Sequence, residues 1–321
     1  NSGRFIVGAQ LASRENLVIS EIHYRPAPPF AGDIAAGFNS AGDFEFLELA
    51  NISAVPVDLA GARFENGINF DFSSQTVLTE VAAGGHVLLV ANRAAFGHRY
   101  GNGLPVIGEF GNDTSLANGG ERLRLVAADG HSIRDFAYDD KAPWPESADG
   151  GGFSLNLVNA NANPDHSLAK NWHAGLDPGG SPGTADGGVD FNNWKRAWFD
   201  PSSTDFPVHS AGSADPDGDG IANAMEFLLG SSPLGFNSTG LEADTMPEGD
   251  LLHLTVSFTR RVLLPANALQ IEQSSVPGNW SEAPTFLLHS VKQGALIKET
   301  HRFMAPLEAG KRQMVRLRMD M

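Results

Sequence analysis

Cysteine is absent from the 321 residues. Disulfides, thiolate-bound zinc and cysteine nucleophiles are excluded together, so any staple must come from packing or from a hard cation held by oxygen. The absence identifies no compartment. Positive charge is scarce as well: 22 Lys and Arg stand against 38 Asp and Glu, a formal charge of −16. The deficit is concentrated in residues 1–249, whereas residues 250–321 carry slightly more base than acid. An acidic body repels phosphate backbones, so no nucleic-acid partner is expected. Long apolar runs are missing too; no stretch approaches the roughly 18 apolar residues that cross a bilayer, and no membrane span is expected. The opening NSGRFIVGAQLASREN has neither an initiator Met nor the basic-then-apolar layout of a signal peptide. Residues 1–14 are therefore expected to be the end of an upstream module and its linker.

What is present favours β structure. Hydrophobic residues make up 41% of the chain, with 20 Phe, enough for real cores, while 36 Gly and 19 Pro punctuate it as turns. Short period-two runs follow one another from Leu17: NLVISEIHY, DFEFLELAN, GHVLLVAN and ERLRLVAADGHSIRDFAY. In ERLRLV, Arg122 and Arg124 alternate with Leu123 and Leu125, as a sheet with one wet face requires. Asp129-Gly130 then supplies a hairpin turn. GGFSLNLVN repeats the alternation, and PGGSPGTADGG reads as a linker. Asp190 is placed to cap a helix over FNNWKRAWF, with Phe191, Trp194 and Trp198 at helical spacing and Pro201 beyond it. Ile221, Met225, Leu228 and Leu229 form a second helical stripe closed by Gly230 and Pro233. Strand patterns return from about residue 248 and run to the C-terminus, which is expected to be the natural end. These boundaries predict a sandwich over 15–187, a helical junction over 188–235 and a small second sandwich over 248–321.

The segments NLVISEIHYRPAPP, DFEFLELANISAVPVDLAGARF, AAGGHVLLVANRAAFGHRYG, NGGERLRLVAADGHSIRDFAYDDKAPWP and ADGGGFSLNLVN with NWHAGLDPGGSPG resemble, in order, a bacterial lamin-tail domain over residues 15–186. The resemblance implies an immunoglobulin-like β-sandwich. It also implies the C-terminal part of a larger secreted protein, of the kind in which such domains follow spore-coat-kinase-like or other modules. It implies no ligand.

The acidic stretch ADPDGDGIANAMEFLLG satisfies the calcium-loop pattern D-x-D-x-D-G-x5-E at every position. Asp215, Asp217 and Asp219 supply alternating oxygens, Gly220 permits the sharp turn, Ile221 offers its carbonyl, Asn223 falls where a ligand often acts through water, and Glu226 returns a carboxylate. The alternative is a solvated acidic turn with Asp219 capping the following helix. PSSTDFPVHSAGSA separates the loop from the preceding helix, so the site is similar to the single loop-helix motifs of dockerin-like or thrombospondin-like repeats. The expected cofactor is a structural calcium, at the junction between two sandwiches.

Other candidates are weaker. GGSPG at 179–183 matches a hydrolase elbow in outline, but Pro182 has no N–H to give the oxyanion hole. Glu21 and His23 share a strand face, with Glu45 and Glu48 on a neighbouring strand; the cluster is read as framework. His86, His98, His131, His166, His173 and His253 show no metal-ligand spacing and are expected at surfaces or turns. Trp144 lies between two prolines and is read as a sandwich corner rather than a sugar platform, and Trp172, Trp194, Trp198 and Trp280 are read with the same caution. The sequons at Asn51, Asn112, Asn237 and Asn279 are expected to be chance patterns. The functional expectation is a non-enzymatic secreted or cell-surface module for adhesion, anchoring or assembly, with an unidentified protein or glycan partner. A carbohydrate-binding module and a metal-dependent hydrolase are the alternatives. The hydrophobic segment 4–12 offers a strand for self-association.

Overall fold

The structure, a computed structural model, describes residues 8–72, 79–238, 240–264 and 268–319. The chain divides after Ser203 into two units, each with its own contacts. Both are built mainly from β-strands. No described helix is long and apolar enough to cross a membrane.

The first unit contains β1 (Gln10–Leu11), β2 (Leu17–His23), β3 (Phe46–Asn51), β4 (Val57–Asp58), β5 (Arg63–Asn66), β6 (Phe70–Asp71) and β7 (Glu80–Val81). It continues through β8 (His86–Val90), β9 (Val106–Glu109), β10 (Glu121–Val126), β11 (Ser132–Tyr138), β12 (Leu155–Leu157) and β13 (Trp172–Ala174), with helices α1 (Ala31–Ala35), α2 (Arg93–Tyr100) and α3 (Phe191–Trp198). A six-stranded sheet, β13-β12-β2-β3-β8-β9, faces a four-stranded sheet, β11-β10-β5-β6. Ile19, Leu47, Leu89 and Leu155 from the first sheet share one core with Phe64, Leu123, Leu125 and Phe136 from the second. The alternation in β10 holds: Leu123 and Leu125 are fully buried, while Arg122 and Arg124 lie outside against Asp135.

β2 and β3 behave differently, being buried along their whole length. A bulge between Ile19 and Glu21 breaks the register with β3. One extra residue reverses the facing of everything after it. Leu17 and Ile19 before the bulge and Ile22 and Tyr24 after it all join the inter-sheet core. Glu21 and His23 are thereby sent to the opposite face, which is covered in turn: Phe46, Leu88 and Val90 pack there against Phe96 of α2.

The tryptophan helix belongs to this unit. Asp190 caps it, accepting from the backbone N–H groups of Asn192 and Asn193; Trp194 is fully buried; α3 packs on α2; and the Gly32 N–H donates to Asp200 at 2.9 Å. The stretch 188–235 is thus not a single junction, because its aromatic helix is spent on the first unit. The segment 4–12 is described only from residue 8, and residues 4–7 lie outside the described residues. Its strand is the two-residue β1, parallel to Val57–Asp58 and at the edge of the small sheet β1-β4-β7.

The second unit begins with α4 (Phe206–His209) and α5 (Asn223–Leu229), then β14 (Glu242–Glu248), β15 (Leu251–Arg261), β16 (Leu269–Ser274), β17 (Ser281–Glu282), β18 (Thr285–Gln293), β19 (Leu296–Pro306) and β20 (Met314–Met319). They make two antiparallel sheets, β14-β15-β19-β18 and β17-β16-β20, with Val256, Phe258, Ile271 and Phe303 buried. The second β domain therefore starts at Glu242, a few residues earlier than the pattern implies.

Candidate metal centre

The acidic loop lies between α4 and α5. Its first half is wound by its own side chains. Asp215 accepts from the N–H groups of Gly218 at 3.0 Å, Asp219 at 3.2 Å and Gly220 at 2.9 Å. Asp219 accepts from Ile221 N–H at 2.7 Å. Gly218 and Gly220 take the left-handed conformation, with φ of 74° and 90°, which a side chain would resist. These bonds wind the loop around the Asp215 and Asp219 carboxylates. One carboxylate oxygen from each of Asp215, Asp217 and Asp219 lies within 4.8 Å of the other two.

That spacing is meaningful. Oxygens bound to one Ca2+ sit at about 2.4 Å from it, so ligands on opposite sides of the ion are about 4.8 Å apart. The remaining predicted ligands are arranged around this trio. Glu226 lies outside the 4.8 Å group but is fully buried, and its Oε2 has no hydrogen-bond partner among the described residues. Burial, and then the charges of Asp217 and Asp219, push its carboxyl up to about 8. Asp217 is also raised, by desolvation and by Asp219 and Asp215, and its Oδ2 is enclosed without a hydrogen-bond partner among the described residues. Crowded, inward-facing, unsatisfied carboxylate oxygens are costly unless a cation joins them. The donors are all oxygen, the preference of a hard ion.

Asn223 is buried and does more than occupy a ligand position. Its Nδ2 donates to the carbonyls of His209 at 2.7 Å and Ala211 at 2.8 Å, tying the loop to the end of α4. Its Oδ1 is enclosed without a partner. Ile221 is buried by its side chain. The short α4 lies within PSSTDFPVHSAGSA, the stretch that separates the acidic loop from the preceding helix. A further residue absent from the pattern reaches the site: the Asn237 N–H donates to Asp219 Oδ2 at 2.8 Å, and its Nδ2 to Glu226 Oε1 at 3.3 Å.

The carboxylate cluster of the first unit has a different character. Glu21 and Glu48 are cross-strand neighbours on the covered face of the six-stranded sheet, and both are buried. Glu21 accepts from Ser154 Oγ at 2.5 Å and from the Ser181 N–H at 2.8 Å and Oγ at 3.1 Å. Glu48 accepts from Ser20 Oγ and His86 at 2.7 Å, and from the Gly183 N–H at 2.7 Å. Together they strap residues 181–183 onto the sheet. Burial and the Glu48 charge push Glu21 up to about 8. Burial opposes a proton on His86, but its bond to Glu48 and that carboxylate's charge carry its pKa upward. Ser181 of the GGSPG stretch is 1% exposed and already committed to Glu21. It is a fastening, not a nucleophile.

The histidine expectation is corrected at His253, which lies within β15, whereas His166 sits at a turn as expected but is covered there. His166 is buried against Phe136 and Trp172, and His253 is buried with Nδ1 on the Phe303 carbonyl. Two rings enclose His166, and a backbone carbonyl of β19 meets His253. Trp144, Trp172 and Trp194 are buried; Trp198 is partly so, and Trp280 is covered by Arg316 at 4.4 Å. Among the sequons, Asn51 is buried with its Nδ2 spent on three backbone carbonyls.

Residues 10–140 match the family model of the Lamin Tail Domain. The lamin-tail region thus covers the sandwich through β11, and β12 and β13 complete the same sheet beyond the matched residues. This agrees with the immunoglobulin-like, mainly β architecture of the sandwich. The acidic loop lies outside the match. No curated protein and no solved structure matches the chain.

Proposed function

We propose that the chain is a non-enzymatic interaction module of a secreted or cell-surface bacterial protein, serving adhesion, anchoring or assembly, whose second unit is stiffened by one structural Ca2+. Asp215, Asp217, Asp219 and Glu226 hold the ion by carboxylate oxygens, Ile221 by its carbonyl, and Asn223 directly or through water. The observation that carries the reading is the inward convergence of the three aspartates beside a buried glutamate with an unpartnered oxygen. A bound divalent ion supplies the positive charge that these groups lack. The protein's own part is to hold them in place through backbone N–H groups. The first unit supports a non-enzymatic role, because its buried carboxylates and Ser181 are spent on internal fastening. The covered tryptophans weigh against a carbohydrate-binding module, which needs flat rings open to solvent.

Affinities on the order of 10⁻⁴ to 10⁻³ M are typical of extracellular calcium modules and suit a millimolar surrounding. Isothermal titration of the chelator-treated chain with CaCl2 tests the site. One equivalent of heat-detected binding, lost in Asp217→Ala, is expected; no binding at 10 mM CaCl2, about tenfold above that range, would refute it.

A further inference from the structure

We infer that Asn237 is a positioning residue of the cation site and closes it from outside the twelve-residue loop. The inference rests on the calcium reading above. α5 ends at Gly230, which takes the left-handed conformation at φ 73°. The Ser231 N–H folds back to the Glu226 carbonyl at 2.9 Å, and the chain returns alongside the helix. Asn237 is thereby brought against two candidate ligands from different parts of the loop. Its backbone N–H takes Asp219 Oδ2 at 2.8 Å, while Asp219 Oδ1 is held by Ile221 N–H at 2.7 Å. Its side-chain Nδ2 takes Glu226 Oε1 at 3.3 Å and is anchored on the Ser232 carbonyl at 2.7 Å.

The consequence for Glu226 is directional. One oxygen is pinned by Asn237, and the other, Oε2, is enclosed without a partner among the described residues. A donor on one carboxylate oxygen fixes the rotation of the group and so aims the second oxygen. An amide suits this place better than an acid. Aspartate there would add negative charge beside Asp217, Asp219 and Glu226, and would replace a donor with an acceptor. The cation site on this view is a unit running from Asp215 to Asn237, and Asn237 lies close before β14, which begins at Glu242. Occupancy is thereby linked to the chain that leads into the second unit's sheet.

The test is Ca2+ titration calorimetry on the full chain, comparing wild type, Asn237→Ala, Glu226→Gln and the double variant, with circular dichroism confirming the fold of each at saturating calcium. Asn237→Ala is expected to weaken affinity about 10- to 100-fold, the usual range for loss of a ligand-orienting hydrogen bond. In the Glu226→Gln background the same change is expected to cost much less, which a general loosening of the fold would not produce. If Asn237→Ala folds only with calcium, chelator back-titration from the loaded protein reads the same ratio. Wild-type binding with Asn237→Ala affinity unchanged within about twofold overturns this inference and leaves the calcium reading standing. Failure of the wild type to bind overturns both.

Discussion

Single residues carry the strongest couplings in this chain. Burial, and then the charges of Asp217 and Asp219, push the Glu226 carboxyl up to about 8, so a proton is expected on it near neutrality when no cation is bound. Glu226→Gln is therefore expected to raise the melting temperature of the calcium-free second unit at pH 9, where the wild-type carboxylate is forced to ionise, and to abolish most of the gain from calcium. Differential scanning calorimetry with chelator and with CaCl2 reads both signs. In the first unit the equivalent pressure point is Gly180. It takes φ 72°, and a Cβ there would stand 2.2 Å from Glu21 Oε1 and 3.1 Å from the Phe46 ring. Gly180→Ala is expected to destabilise the first unit by at least about 2 kcal/mol, through backbone strain and displacement of a buried carboxylate. Urea unfolding followed by tryptophan fluorescence measures it. The glycine-rich stretch reads as a linker in the sequence because its partners, Glu21 and Glu48, come from strands more than a hundred residues away.

At the scale of elements, α5 is the part that connects the acidic loop to a sheet. It is seven residues long, too short to be stable alone. Its support is tertiary: Arg261 at the end of β15 is fully buried, donates from Nε to the Phe227 carbonyl at 2.5 Å, and lies 4.5 Å over the Phe227 ring. A guanidinium at a helix C-terminus satisfies free carbonyls and opposes the negative end of the dipole. Arg261→Ala is expected to destabilise the second unit by about 2 kcal/mol or more and to weaken calcium binding with it. Chemical denaturation and titration calorimetry on the same variant test that pairing. The α5 stripe and its Gly230 stop are legible in sequence, since capping and periodicity are local. The fastening by Arg261 is not, because thirty-odd residues of loop and strand intervene.

On the scale of the whole molecule, two separately packed units predict two calorimetric transitions. Saturating calcium at 100 times Kd is expected to stabilise the second unit's transition by roughly 2.7 kcal/mol and leave the first unit's unmoved. A chelator that lowers both equally would contradict the assignment of the loop to the second unit. The pH dependence of the first transition follows from buried groups of opposite kind. Burial first, and for Glu21 the Glu48 charge next, push Glu21 and Glu45 up to about 8. The folded state then holds protons that the unfolded chain releases near its ordinary value of 4.5, so these groups favour folding at low pH and lose that contribution as pH rises toward 8. Burial pushes His23 and His166 down to about 3. The unfolded chain takes up those protons below 6.5, so stability falls as pH drops from there. The two effects oppose each other between about 4.5 and 6.5. A plateau of melting temperature over that window, declining on both sides, is expected in chelator across a buffer series.

Sequence alone determined what depends on neighbours along the chain. The alternation in β10, the cap at Asp190, the glycine stop of α5 and the spacing of Asp215, Asp217, Asp219 and Glu226 are local patterns, and hydrogen bonding and sterics within a few residues enforce them. Tertiary structure alone decided what depends on which strands become neighbours. The bulge in β2 sends Glu21 to a face that α2 and the strap then cover, which turns a plausible reactive cluster into a clasp. The return of the chain after Gly230 brings Asn237 to a loop whose motif does not contain it. Burial is a property of the folded surface, and no spacing in one segment records which distant segment will cover it.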